Sequence, residues 1–199
     1  MIRLLMLDID GTLTRDRGVD ELEPEAIRAI QEARGRVLIG IATGNAMIVA
    51  KSLARYVGVG ASAPIIAENG CLVSIEGREV PLCSRSVKEL GVELARRLGL
   101  SLSYQFNCRS FDAAFEITGN EDELVRRIRS AIREMGEEAQ VESSGYAIHV
   151  MPPGVSKYTA ILEVCRRLGV DCGDVAYVGD GRTDVEAVKS VGWGVAVAN

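Results

Sequence analysis

Histidine is almost missing: His149 is the only one in 199 residues. That excludes a histidine-rich metal site and makes Ser-His-Asp or Cys-His nucleophilic chemistry a poor fit. If the chain is catalytic, its acid–base work falls to carboxylates. Cysteine is sparse and without pattern. Cys71, Cys83, Cys108, Cys165 and Cys172 contain no C-x-x-C pair, so buried free thiols are expected rather than a zinc site or a disulfide framework. Lysine is rare, 4 against 19 arginines, and Asn plus Gln reach only 8. Scarce thermolabile amides fit a heat-adapted source, while arginine richness fits genome composition equally well. No apolar run reaches the roughly 18 residues that span a bilayer, and the short apolar N-terminus, broken by two aspartates, lacks a signal-peptide pattern. The expectation is therefore a cytoplasmic protein with no membrane partner. The formal charge of −5 also disfavours nucleic acid as a partner.

What is present suits a folded enzyme-sized chain. With 47% hydrophobic and 26% charged residues, disorder is excluded. Domains run to about 100–200 residues, so the length allows one large domain or two small ones. Arg3–Asp8, Val37–Ala42 and Pro64–Ala67 read as buried strands. Between them lie helices starting at Pro24, with Ile27, Ile30 and Ala33 at helical spacing, and at about Ala46. This β-α-β-α-β run predicts a doubly wound α/β layer. Next, Cys71–Ile75 and Glu79–Leu82 flank a hairpin turn. Helices Ser86–Leu98 and Glu121–Met135 alternate with strands Leu102–Phe106, Ala113–Ile117, Gln140–Glu142 and Tyr146–Met151. That α-β-β-α-β-β order describes a small α+β unit. After Pro152-Pro153-Gly154, a helix capped by Ser156 and ended by Gly169, a strand Val175–Val178, a helix Arg182–Ser190 and a strand Trp193–Val197 return to βα order. The predicted fold is a Rossmann-like doubly wound parallel sheet core, residues 1–82 and 152–199, with an inserted α+β cap domain, residues 83–151.

Three predicted strands of the core end in polar residues, where ligands bind in such sheets. They end in Asp8-Ile9-Asp10-Gly11-Thr12, in Thr43-Gly44-Asn45 and in Gly179-Asp180-Gly181-Arg182-Thr183-Asp184. Four aspartates from two distant segments beside apolar strands call for a cation. An all-carboxylate set without histidine or thiolate suits Mg²⁺. The adjoining Gly, Thr and Asn offer donors to an anion, and Lys157 at a helix start adds a fixed positive charge. Together they point to phosphoryl transfer.

These four segments, in this order, resemble the motifs of the haloacid dehalogenase superfamily of phosphohydrolases: D-x-D-G-T at Asp8–Thr12, the hydroxyl at Thr43, the lysine at Lys157 and G-D-G-x-x-D at Asp180–Asp184. An insertion between the second and third motifs is that family's type II cap, and Ala67-Glu68-Asn69-Gly70 looks like the segment leading into it. Ile41–Asn45 is most similar to the archaeal-type phosphoglycolate phosphatases, with sugar-phosphate phosphatases as close relatives. The resemblance implies a Mg²⁺-dependent phosphatase acting on a small phosphorylated metabolite, 2-phosphoglycolate being favoured, through an aspartyl-phosphate. It makes Asp8 the nucleophile and Asp10 the acid and then the base. Asp8, the Asp10 main-chain carbonyl, Asp180 and Asp184 become metal ligands, and Thr43, Gly44, Asn45 and Lys157 phosphate-binding residues. The family usually carries Asn where Thr183 stands here, and it usually continues with a helix and strand beyond the position of Val197.

Plainer readings exist for each residue. Asp8 and Asp10 fit an Asx-rich turn, Asp184, Thr43 and Asn45 fit helix caps, and Lys157 fits an exposed helix lysine. His149 is expected to be structural, and Arg126, Arg127, Arg129 and Arg133 to form a solvated helix face. Arg109, in a cap turn, is either exposed or a contact for a substrate carboxylate. A sugar-phosphate phosphatase or a phosphomutase of the same superfamily, and a non-catalytic phosphometabolite-binding protein, are the alternative functions. The apolar edges of core or cap leave room for a homodimer. Linkers near residues 80–83 and 151–154 are the expected hinge of cap closure.

Overall fold

The computed structural model describes residues 1–15, 20–60 and 62–198. The chain begins with β1 (Leu4–Leu7), α1 (Pro24–Ala33), β2 (Leu38–Ala42), α2 (Met47–Tyr56) and β3 (Ile65–Ala67). A 3₁₀ turn at Glu68–Gly70 leads to the hairpin β4 (Leu72–Ile75) and β5 (Arg78–Pro81). Then come α3 (Lys88–Leu98), β6 (Ala113–Glu116), α4 (Glu121–Glu134), β7 (Gln140–Ser143) and β8 (Ala147–Met151). The chain closes with α5 (Lys157–Leu168), β9 (Val175–Gly179), α6 (Val185–Ser190) and β10 (Trp193–Ala196).

Among the described residues the larger sheet has seven strands in the order β10-β9-β1-β2-β3-β4-β5. It is parallel from β10 to β3, and β4 and β5 add antiparallel. Successive strand side chains face opposite ways, so Leu4 and Met6 join one apolar layer under α5 and α6, and Leu7 joins another with residues of α1 and α2. Burial on both faces is why β1, β2 and β9 read as unbroken apolar runs. From β1 the chain winds outward through β2 and β3, and it later returns to place β9 on the other side of β1. The order reverses at β1, which leaves a crevice beyond the carboxyl ends of β1 and β9.

The second sheet is antiparallel, β6-β8-β7, and α3 and α4 bury Leu94, Leu124, Ile128 and Ile132 in its apolar cluster. Asn120 starts α4, its Oδ1 accepting from the Glu123 N–H at 2.9 Å. The strand expected at Leu102–Phe106 shrinks to a single bridge, Leu102 to Phe115. Backbone bonds Glu116 N–H to Ser101 O and Ser103 N–H to Ala114 O begin a ladder, but Phe106–Cys108 then turns as a 3₁₀ helix. The turn carries Gln105 toward the larger sheet instead of along β6. The short helix expected from Arg182 opens as a 3₁₀ turn, Arg182–Asp184, before α6.

The free-thiol expectation fails for one pair: Cys71 and Cys83 form a disulfide. Pairing of Leu72 with Pro81 brings the residues just outside the hairpin to a Cα separation of 4.8 Å. The two cysteines are 12 positions apart in sequence, so the antiparallel register and not a local motif makes the bridge. Cys108, Cys165 and Cys172 are free. At the other edge of the sheet, all four residues of β10 are exposed, Trp193 at 56%. Among the described residues, no helix is long and apolar enough to cross a membrane.

Candidate active site

Asp8 follows β1 directly, and its N–H donates to Val178 O of β9 at 2.9 Å. That bond sets the carboxylate at the mouth of the crevice. Lys157, the first residue of α5, is held there by the Ser156 capping box. Its Nζ lies 2.8 Å from Asp8 Oδ1 and 2.7 Å from Asp184 Oδ1, and the side chain is almost fully buried. Asp184 also accepts from the Tyr177 hydroxyl, and its Oδ2 accepts from the Gly181 N–H at 2.8 Å. Asp8, Asp180 and Asp184 each offer an oxygen within 4.8 Å of the others. Thr12 Oγ1 donates to Asp180 Oδ1 at 3.3 Å. Between these loops Gly11 is obligatory: its φ is +80°, and an added Cβ would lie 2.3 Å from the Asp180 carboxylate.

Lys157 is shared by two buried carboxylates, Asp8 and Asp184. Burial pushes the Asp8 carboxyl up to about 8; Lys157 opposes the rise and the Asp184 charge adds to it. Asp184 goes the other way. Burial would raise it, but Lys157 and the hydrogen bonds from Lys157, Tyr177 and Gly181 hold it below its ordinary value. Burial opposes the charge on Lys157, yet the two carboxylates raise its pKa above that of a free lysine. A hard divalent cation fits this all-oxygen donor set, and its charge would favour the ionised form of Asp8 against the burial that raises it.

The second strand end supplies Thr43, Gly44 and Asn45. Asn45 Nδ2 donates to Asp10 Oδ2 at 2.7 Å and to Thr43 Oγ1 at 3.0 Å, and the Asn45 N–H donates to Thr43 Oγ1 at 3.1 Å. Burial raises the Asp10 pKa, with the Asn45 bond pulling against it. Gly44 leaves room that a side chain would fill, since an added Cβ would lie 3.0 Å from Asn69 Oδ1 and 3.1 Å from His149 Cε1.

Across the cavity the smaller sheet contributes a second buried network. Arg109 Nη1 donates to Gly44 O at 2.9 Å and to both oxygens of Asp112. His149 Nδ1 lies 3.1 Å from Asp112 Oδ2. Burial would raise the Asp112 pKa, but Arg109 and His149 hold it low, and burial keeps His149 below its ordinary value. From the larger sheet Glu68, fully buried, accepts from the N–H groups of Ser110, Phe111 and Asp112. Its pKa is raised by burial and by Asp112, against those three bonds. The two networks wall a cavity of about 240 Å³ lined by Asp8, Asp10, Asn45, Lys157 and Asp180 on one side and Tyr104, Gln105, Tyr146 and His149 on the other.

The structure brings Asp8, Asp10, Asn45, Lys157 and Asp180 to the cavity, with Gly44 and Thr183 on its wall. Thr43 stands behind Asn45, and Asp184 behind Lys157 with both oxygens engaged. Arg109 is not the exposed turn residue expected but is 5% exposed and ion-paired. His149 is both a packed side chain and a lining residue. On the arginine face of α4, Arg129 Nη2 donates to Val141 O and Arg127 Nη2 to Leu98 O, so two of the four hold backbone carbonyls. Sequence reading gave no role to Gln105, Asp112 or Tyr177. Glu68 had a usable signal: like Asp8, it is a carboxylate directly after a buried strand. Asn69 is 2% exposed and lines the cavity, and neither of its amide atoms has a hydrogen-bond partner among the described residues.

Residues 5–94 and 106–199 match the haloacid dehalogenase-like hydrolase family. The chain is 43% identical over 198 residues to a phosphoglycolate phosphatase of Pyrobaculum aerophilum, covering 99% of this chain and 83% of that protein. It is 41% identical to a protein of the same description from Pyrobaculum neutrophilum, covering 99% of this chain and 83% of the other. Its fold matches a crystal structure from Thermoplasma acidophilum with a TM-score of 0.80 at 23% identity, over 95% of this chain and 81% of that one. In that fold the second, small sheet is the cap. The chain belongs to the haloacid dehalogenase-like hydrolases, and is a phosphoric monoester hydrolase of that family.

Proposed function

We propose that the protein is a Mg²⁺-dependent phosphatase that hydrolyses 2-phosphoglycolate through an aspartyl-phosphate. The observation that carries this reading is the buried Asp8–Lys157 pair at 2.8 Å inside the carboxylate cluster, with Asp10 facing the same cavity. A cavity of about 240 Å³ suits a metabolite of few atoms, since drug-sized ligands occupy about 300–1,000 Å³. The curated relatives named for phosphoglycolate support the choice of substrate.

In the first step an Asp8 carboxylate oxygen attacks phosphorus and the phosphorus–ester oxygen bond breaks. The electron pair leaves with the glycolate oxygen, and Asp10 gives that oxygen its proton. The raised pKa of Asp10 favours its carrying that proton. In the second step water attacks the aspartyl-phosphate, Asp10 takes the water proton, and inorganic phosphate leaves with Asp8 restored. Lys157 offsets repulsion between Asp8 and the phosphate dianion. Thr43 Oγ1 already accepts two bonds from Asn45, so its own proton is the one left for a phosphoryl oxygen. Bound Mg²⁺, held by Asp8, the Asp10 carbonyl, Asp180 and Asp184 directly or through water, would neutralise charge on the transferring group. We take residues 83–151 as a cap hinged near 80–83 and 151–154, closing to exclude water.

Asp8→Asn tests the reading. Phosphate release from 2-phosphoglycolate and from p-nitrophenyl phosphate should disappear while the melting temperature is kept. Undiminished turnover would overturn the nucleophile, and wild-type indifference to 2-phosphoglycolate among small phosphate esters would overturn the substrate.

A further inference from the structure

We propose that Gln105 of the cap is a positioning residue, acting through Asn45 to aim Asp10 at the leaving group. This rests on the reading of Asp10 as the proton donor. Gln105 is 5% exposed and sits on the turn that replaces the expected strand. Its Oε1 accepts from the Ala46 backbone N–H at 2.8 Å, and its Nε2 donates to Asn45 Oδ1 at 2.6 Å. A backbone N–H can only donate, so Oε1 must face Ala46 and Nε2 must face Asn45. Asn45 must then present its oxygen to Gln105, which leaves Nδ2 for Asp10 and Thr43, the arrangement found. One backbone donor thus sets the orientation of two amides in series, and the second amide holds Asp10.

Without Gln105 the Asn45 amide is free to turn its oxygen toward Asp10. With its oxygen turned that way, Asn45 no longer gives the Nδ2 bond that holds Asp10 Oδ2, and Asp10 is released from its aim. Ala46 precedes α2 with no side-chain cap of its own, so the same cap residue also finishes a core helix. An opened cap withdraws Gln105, which ties the aim of Asp10 to closure.

The test exploits the chemistry of the leaving group. A good leaving group such as p-nitrophenolate needs little proton donation, and a poor one such as phenolate or glycolate needs much. Gln105→Met removes its side-chain bonds to Ala46, to Asn45 and to the Tyr104 hydroxyl, and Gln105→Glu keeps an acceptor for Ala46 while losing the donor to Asn45. Maximal rates are measured for the wild type and both variants on a series of aryl phosphates, then on 2-phosphoglycolate. General acid catalysis is worth about 10²–10⁴-fold, so the phenyl to p-nitrophenyl rate ratio should fall at least about tenfold in both variants, further for glycolate. Melting temperature reports the helix-capping part separately. Equal loss across the series, or Gln105→Glu matching the wild type, would overturn the proposal. A wild-type chain inert to the whole series would instead overturn the phosphatase reading beneath it.

Discussion

The carboxylate–lysine cluster of the core and the Arg109–Asp112–His149 cluster of the cap are both buried, but their charges are kept differently. In the core one lysine, Lys157, is shared by Asp8 and Asp184. In the cap Arg109 answers Asp112 one to one, and Glu68 is satisfied by three backbone N–H groups. Burying a charge is costly unless it is paired and hydrogen-bonded. Asp112 and Glu68 meet that condition within the protein, through Arg109 Nη1 and three backbone N–H groups, although Arg109 Nε has no hydrogen-bond partner among the described residues; the cluster holds the cap loop against the core at Gly44 and Glu68. In the core Asp8 and Asp184 share one lysine, and the negative charge left over is what a divalent cation would answer. A surplus of buried charge marks a binding site, and a balanced one marks a clasp.

Lys157→Met puts the sharpest strain on this contrast. It leaves Asp8 and Asp184 without their cation, and phosphatase activity should fall about a thousandfold, as when an electrostatic stabiliser of a transition state is removed. Steady-state kinetics at saturating Mg²⁺ would check it, and a loss under about tenfold would mean Lys157 is only structural. Asp112→Asn is the matching change in the cap. It strands the Arg109 guanidinium and should cost about 3 kcal/mol of stability, read by chemical denaturation. If it lowered turnover on p-nitrophenyl phosphate more than it lowered stability, the clasp reading would fail.

A further expected effect is a difference in pH dependence without metal. Asp8 is raised from 3.8 to about 8, and Asp10 is raised as well. A raised carboxyl lends stability that is present below 3.8 and lost as pH climbs through its folded value, so the melting temperature in EDTA should decline toward pH 8. Asp112 is depressed, so its contribution is present above 3.8 and lost as pH falls through its lower folded value. Asp8→Asn should flatten the upper decline and leave the acid limb. A melting curve with no decline between pH 4 and 8 would remove the basis for an uncompensated core.

Much of the core half was legible in the sequence. Strands buried on both faces announce themselves as apolar runs, and polar residues at their ends stand out because nothing local requires them. Asp8, Asp10, Thr43, Asn45 and Asp180 were singled out that way, and Lys157 from its place at a helix start and from the order of the motifs. The cap half was much less legible. Gln105 and Asp112 lie in a turn whose pattern imitates a strand, and a Gln carries no charge to mark it. Arg109 looked exposed because its partners Asp112, three residues on, and Gly44, 65 residues back, come together only across the interface. The Cys71–Cys83 bridge was hidden for the same reason, because it depends on hairpin register.

By itself the sequence determined the α/β class, the order of elements and the residues that end β1, β2 and β9. Those follow from local periodicity and from the cost of burying an unpaired charge. The tertiary structure decided which way the Asn45 amide points, which carboxylates are answered from within the protein, and which face of the cap meets them. Those depend on contacts between segments far apart in the chain, where a hydrogen bond's direction is set by a partner that no local pattern names.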